Sequence, residues 1–262
     1  MVTEKDNPRG RISRRLLARK EKFTMDSLSE AAFDTTVLVA EEMIPGIVRA
    51  WELVRRSDQR LAKKLEGPVT ELKKWDRVAR VDSTAMTLFT LWAELGKFRL
   101  DPRKDPRGAL RNLRRAATGL QWYFGTWQVP WGEINRLQRI PPGDDHRFND
   151  SAPSLPIAGG PGWLGMVFNF YARREDGQKR RYGVAGHSYV GIVSFGPEPE
   201  TRSILVFGQN ADPASKHFFD QAGIYAQKKF KPALFRREEI EKKSLRVYHP
   251  GEKTRGEEPA ER

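Results

Sequence analysis

The chain has 262 residues, 38% hydrophobic and 10% aromatic with seven Trp, which is apolar surface enough for a sizeable core and excludes wholesale disorder. Lys and Arg number 47 against 34 Asp and Glu, a net charge of +13 spread along the chain, which favours a solvated basic surface or an acidic protein partner over a nucleic-acid binder. Cysteine is absent, which excludes disulfides and thiol chemistry, and no apolar run approaches the roughly 18 residues that span a bilayer.

The N-terminal stretch MVTEKDNPRGRISRRLLARKEKF is basic but has no apolar centre, so it reads as no secretory signal, and Glu4, Asp6 and Glu21 argue against a transit peptide. Residues 1–140 read mostly as helix. Thr24 is an N-cap with Asp26 in the first turn, and Leu28, Ala31, Ala32, Thr35, Val39 and Met43 follow at helical spacing. Pro45-Gly46 is expected to end or kink that helix, before a second apolar set of Ile47, Trp51 and Val54. Gly67-Pro68 reads as a break. Ala85, Leu88, Phe89, Trp92 and Leu95 then make one apolar face, and two Asp-Pro steps lead into a helix over Arg107 to Trp122.

After Pro130 the composition turns to Gly, Pro and Asp, which predicts loop with one short element. Three strand-like runs follow at 163–172, 187–196 and 202–208, separated by turns, with REDGQKRRYG as a hairpin tip; this predicts antiparallel pairing. In GQNADPASKHFFDQA, Gly208 ends a strand, and Asp212-Pro213 starts a helix, supported by Ser215, that runs to about Gln227 and buries Phe218, Ala222 and Tyr225. KPALFRREEIEKK reads as a connector and a short helix, and the polar residues 251–262 as a disordered tail. The fold class is therefore α+β: a helical part over 1–140, then a small antiparallel sheet and a C-terminal helix, in one unit over 1–250.

Few residues carry chemistry on their own. The four His (His146, His187, His217 and His249) stand in no metal-ligand spacing, so structural hydrogen bonding is favoured. Ser188 beside His187 is not a nucleophile-base pair, because adjacent strand residues face opposite ways. Asp144-Asp145 could bind a cation, but acids in a Pro-Gly loop are usually solvated. AGGPG at 158–162 lacks the lysine of a phosphate loop and reads as a turn. Arg111, Arg114 and Arg115, with Trp122 and Tyr123 nearby, form a basic helical patch that fits an acidic neighbour better than nucleic acid.

The order of motifs carries more. NPRGRISRRLLARKEKFTMDSL, FDTTVLVAEEMIP, LKKWDRVARVDSTAMTLFTLW, GTWQVPWGEINRLQR, AGHSYVGIVSF and SILVFGQNADPASKHFFDQA, in that order, resemble the C-terminal part of the β subunit of the penicillin acylase family, with most similarity to its acyl-homoserine-lactone acylase branch. The resemblance covers about residues 7–251. Within the last motif Gly208, Gln209, Asp212, Pro213, Ser215, His217, Asp220 and Gln221 match the family pattern, while Asn210 stands where a Ser is more usual.

The resemblance implies a partial αββα fold of the N-terminal-nucleophile hydrolases, and cleavage of linear amides: penicillins, acyl-homoserine lactones and related N-acyl compounds. In that family an N-terminal Ser attacks the amide carbonyl, its own α-amine serves as base, and backbone and Asn donors hold the oxyanion. The Ser, the Asn and the acidic calcium ligands lie upstream of the part resembled, so the resemblance implies no cofactor in this chain and no activity by the chain alone. It implies two partners: the remaining acylase portion and an N-acyl amide substrate. Met1-Val2 offers no nucleophile, since removal of Met exposes Val. The family's site-ordering Arg falls on Arg9, with Arg11 as the competing assignment, and Glu133 falls in a structural position, paired with a sheet Arg. Family members are exported, which implies the periplasm or the exterior; without a signal the alternative is the cytoplasm. The competing functions are a non-catalytic remnant or scaffold and a basic nucleic-acid-binding protein.

Overall fold

The computed structural model describes residues 6–19, 22–97, 99–143, 147–244, 247 and 249. Asp144, Asp145, His146 and the expected tail at 251–262 lie outside the described residues.

Helix α1 (Pro8–Leu17) starts on Asn7, whose side chain accepts from the Gly10 N–H at 2.8 Å, with Pro8 at the first helical position. Helix α2 (Met25–Ala32) starts on Thr24, which exchanges hydrogen bonds with Ser27. The periodicity continues into α3 (Leu38–Ser57), but the helix does not: the chain opens over 33–37. There the backbone is spent on neighbours. Asp34 O accepts from Phe168 N, Thr35 O from Ala79 N, and Val37 N donates to Arg77 O. An apolar repeat cannot report such pairing.

Both expected breaks lie inside helices. Pro45 sits within α3, between the buried Ile44 and Ile47. An interior Pro costs about 3 kcal/mol, and burying two such side chains offsets it at about 1.5–3 kcal/mol each. Gly67-Pro68 lies within α4 (Gln59–Lys74). A Cβ at Gly67 would stand 3.0 Å from the Trp127 ring, so the glycine admits an aromatic ring against the helix. Helix α5 (Thr84–Leu95) is capped by Ser83, and α6 (Pro106–Phe124) by Asp105 at one end and Gly125, φ +76°, at the other. Helices α3 to α6 share one core, in which Phe89 stacks on Trp92 and the Trp92 indole N–H donates to Ala109 O at 3.0 Å.

The segment after Pro130 holds more structure than its composition suggests: α7 (Trp131–Ile134), β1 (Asn135–Leu137), β2 (Leu155–Pro156) and a 3-10 turn at Gly162–Leu164. The run 163–172 is strand only at its end, β3 (Phe170–Arg173); β4 (Arg181–Gly186) pairs with it antiparallel, and the expected hairpin tip lies between them, its last three residues entering β4. These strands form a mixed sheet, β2-β1-β4-β3, with β1 parallel to β4. The expected antiparallel pairing holds for β3 with β4 and throughout the second sheet, where β5 (Tyr189–Ser194), β6 (Glu200–Leu205) and β7 (Lys231–Ala233) lie in that order. There are therefore two sheets where the sequence suggests one, and the class is α+β.

Asp212-Pro213 does not start a helix. Asn210, Asp212 and Ser215 side chains accept from the N–H two residues on, at Asp212, Ala214 and His217, winding the segment into successive turns. Only α8 (Ala222–Ala226) is helical, followed by α9 (Arg237–Lys243). Gly208 is required by proximity: a Cβ there would collide with the His217 carbonyl. Arg139 sits over the Phe218 ring at 4.2 Å and pins the turns to the sheet. A second core gathers Phe33, Phe168, Phe170, Ile204 and Tyr225 beneath them.

Candidate functional site

Helix α1 carries four arginines and sorts them by face. Arg9 lies on the stripe of the buried Ile12 and Leu16, which pack on Leu38 and Val167. It is therefore turned inward. Arg11, Arg14 and Arg15 lie off that stripe and pair with Glu42, Asp6 and Glu41; the Arg11 fork meets Glu42 at 2.5 and 3.3 Å. Of the two sequence candidates, Arg9 reaches the interior and Arg11 is held at the surface.

The half-buried Arg9 Nη2 donates to Val167 O at 3.3 Å and meets His187 Nε2 at 2.9 Å. A guanidinium only donates, so Nε2 accepts and His187 carries its proton on Nδ1. Burial, and then the Arg9 charge, hold the His187 pKa below its ordinary value, which keeps the ring neutral. The ring leans on Phe168, with centroids 5.9 Å apart, and the Tyr225 hydroxyl donates to the His187 carbonyl at 3.4 Å. Among the described residues two donors here find no acceptor, Arg9 Nε and His187 Nδ1.

Glycines shape the surroundings. A Cβ at Gly162 would stand 3.1 Å from Arg9 Cδ, so the last residue of AGGPG makes room for the arginine. The rest of that motif is a scaffold. Gly162 N donates to Asn169 Oδ1 at 2.8 Å, Gly160 O accepts from Phe170 N at 2.9 Å, and Gly159 O accepts from the Trp131 indole at 2.8 Å. Those groups bind protein, as a turn requires. Gly186, at φ +147° just before His187, takes a conformation that brings it against Asn169 O.

The remaining candidates stay apart from this site. His217 is exposed and holds Asp220 at 2.8 Å, and His249 is exposed. Ser188 accepts through its carbonyl from Val206 N. Glu133 is exposed and forms no ion pair among the described residues; Arg136 binds Gly132 O and Ser154 instead. Arg111, Arg114 and Arg115 are exposed and pair with no carboxylate among the described residues. Sequence reasoning missed the Arg181–Glu94 pair, in which Arg181 Nη1 meets Glu94 Oε2 at 3.0 Å and Arg181 also binds Ala172 O at 2.9 Å. A long-range pair between a strand and a helix has no spacing signature. Among the described residues no three His, Cys, Asp or Glu side chains gather to hold a metal ion. No described helix is long and apolar enough to cross a membrane.

The family model for penicillin amidase matches residues 3–242, and the chain belongs to that family of amide hydrolases. Among its relatives, the acyl-homoserine lactone acylase PvdQ of Pseudomonas fluorescens is 27% identical over 256 residues, which cover 92% of this chain. The protein of the same name from Pseudomonas putida is 27% identical over 87% of this chain, and that of Pseudomonas syringae pv. syringae 23% over 92%. The chain spans about a third of the length of these relatives: 32%, 30% and 33%.

Proposed function

We propose that this chain is the C-terminal portion of the β subunit of an acylase that hydrolyses linear N-acyl amides, acyl-homoserine lactones among them, and that Arg9 orders its active site. The match of the penicillin amidase model over residues 3–242 carries this reading. In it, the Ser nucleophile, its α-amine base and the oxyanion Asn come from outside the 262 residues, and the assembled enzyme works in the periplasm or outside the cell.

Two features of the molecule support it. Arg9 Nε and His187 Nδ1, which have no partner among the described residues, are donors. Leaving a buried donor unmade costs about 1–3 kcal/mol, so an acceptor arriving with another part of the enzyme would be stabilised there. Arg9 has a fixed positive charge on a helix start, gripped by Val167 O and His187. Such a group orders neighbouring acceptors. In addition, β5 begins two residues after His187 and ends its sheet, with Tyr189 58%, Val193 43% and Phe195 90% exposed. An apolar edge strand of this kind, with no further strand beside it among the described residues, fits a neighbour that adds to it.

The test is to assay N-acyl-homoserine-lactone hydrolysis by the chain alone and by the chain produced with the acylase portion that precedes it. Release of homoserine lactone is read by mass spectrometry. Turnover is expected only from the pair. Turnover by the 262 residues alone, or a folded pair with none, would overturn the reading.

A further inference from the structure

A cavity of about 460 Å³ opens between α5, α6 and the β3–β4 hairpin, within the range of small-molecule sites. It shares no residue with the surroundings of Arg9 and His187. Its floor is hydrocarbon: Leu91, Leu120, Phe124 and Ile134. Its rim is cationic. Arg115, Arg174 and Lys179 line it, and none has a carboxylate partner among the described residues. Arg174 lies 4.8 Å over the ring of Tyr123, which also lines the cavity.

The charges do not cancel within the cavity. Its one lining carboxylate is Glu94, and Glu94 is already bound by Arg181. Arg173, also on the rim, reaches Glu175 at 3.4 Å. Three cations therefore face an apolar floor with no anion supplied by the described residues. A polyanion such as nucleic acid would leave the hydrocarbon floor unused. A neutral apolar ligand would leave three cations unpaired. One carboxylate on a hydrocarbon tail satisfies both.

We propose that this cavity binds a long-chain carboxylate, a fatty-acid anion, with its tail on Leu91, Leu120 and Ile134 and its head among Arg115, Arg174 and Lys179. A carboxylate accepts from guanidinium and ammonium groups in charge-assisted bonds, and an alkyl tail gains about 0.8 kcal/mol for each CH₂ buried.

The chain is titrated with decanoate, decanol and decyltrimethylammonium by calorimetry below their micellar concentrations. Decanoate is expected to bind saturably at one site and at least about tenfold more tightly than the other two, one tenfold step being about 1.4 kcal/mol. Two variants locate the site. Arg115→Glu with Lys179→Glu reverses the rim charge and should weaken decanoate by more than about tenfold, while Lys64→Glu, at an exposed position of α4 outside the cavity, should not. Gly119→Leu fills the cavity: Gly119 lines it, and a Cβ there meets nothing within 4 Å, so the helix accepts the side chain and decanoate is excluded. Equal affinity for decanoate and decanol, binding unchanged in both variants, or no decanoate binding because a protein segment or a second copy fills the cavity, would each overturn the proposal.

Discussion

Arg9 and His187 stand 178 residues apart in the chain and meet at 2.9 Å, Nη2 to Nε2, joining the first turn of α1 to the start of β5. This contact ties the first described helix to the segment that leads into the second sheet.

Removing the arginine leaves His187 Nε2 and Val167 O without their donor. Arg9→Ala is expected to destabilise the chain by about 1–3 kcal/mol in urea denaturation. Arg11→Ala, which breaks an exposed pair with Glu42, should cost about 0–1 kcal/mol. Equal losses would mean that the two arginines are equivalent.

His187 makes stability depend on pH. Its folded pKa is depressed, by burial first and by Arg9 second, so the unfolded chain takes up a proton before the folded one does. Its stabilising contribution is full above the ordinary His value near 6.5 and declines as pH falls below it toward the folded value. Tyr225 is pushed up by burial, so its hydroxyl does not titrate in that window. Asp101, lowered to about 2 by Arg103, acts only at much lower pH. The melting temperature should fall as pH drops below about 6.5, and His187→Gln, which keeps an acceptor for Arg9, should flatten that slope. An unchanged slope in the variant would assign it to another group.

The Arg181–Glu94 pair joins β4 to α5, with side-chain exposures of 9% and 29%. Glu94→Ala removes both carboxylate oxygens and leaves a buried guanidinium whose remaining acceptor among the described residues is the Ala172 carbonyl, and should cost about 3 kcal/mol, the low end for a buried pair because Glu94 keeps contact with water. Chemical denaturation measures it; a loss under about 1 kcal/mol would place the pair among surface bridges.

Two glycines of the C-terminal region should respond in opposite directions. Gly208→Ala drives a methyl into the His217 carbonyl and should cost on the order of 1–3 kcal/mol. Gly223→Ala, within α8 and with nothing within 4 Å of its Cβ, should stabilise by about 0.4–1 kcal/mol. Melting temperatures of the two variants check the pair, and a neutral Gly208→Ala would remove the close-approach argument.

The sequence showed what local chemistry controls. Thr24, Asp105-Pro106 and the apolar face from Ala85 to Trp92 specify their helices without help from the rest of the chain, and the helix expected over 107–122 extends over Pro106–Phe124. It misled where distant groups compete. Pro45 and Gly67-Pro68 look like breaks because the burial of Ile44 and Ile47 and the approach of Trp127 are not local facts. The helix expected from Asp212-Pro213 lost to side-chain turns at Asn210, Asp212 and Ser215. For the site, the helical stripe of Arg9, Ile12 and Leu16 could have separated Arg9 from Arg11 by periodicity alone, since three and seven residues return to one face. No spacing in the sequence announces His187 as its partner.

The central claim is that Arg9 positions groups in an amide-hydrolysing site completed by the preceding acylase portion. The most direct measurement is kcat and KM for an N-acyl-homoserine lactone in that assembled enzyme, with Arg9→Ala and Arg11→Ala compared at equal folded concentration. The account predicts that Arg9→Ala lowers kcat by about 100-fold with little change in KM, as a misplaced reacting group does. It predicts that Arg11→Ala changes kcat by less than about fivefold, in keeping with an exposed ion pair. A fully folded Arg9→Ala enzyme with the parent kcat would contradict it.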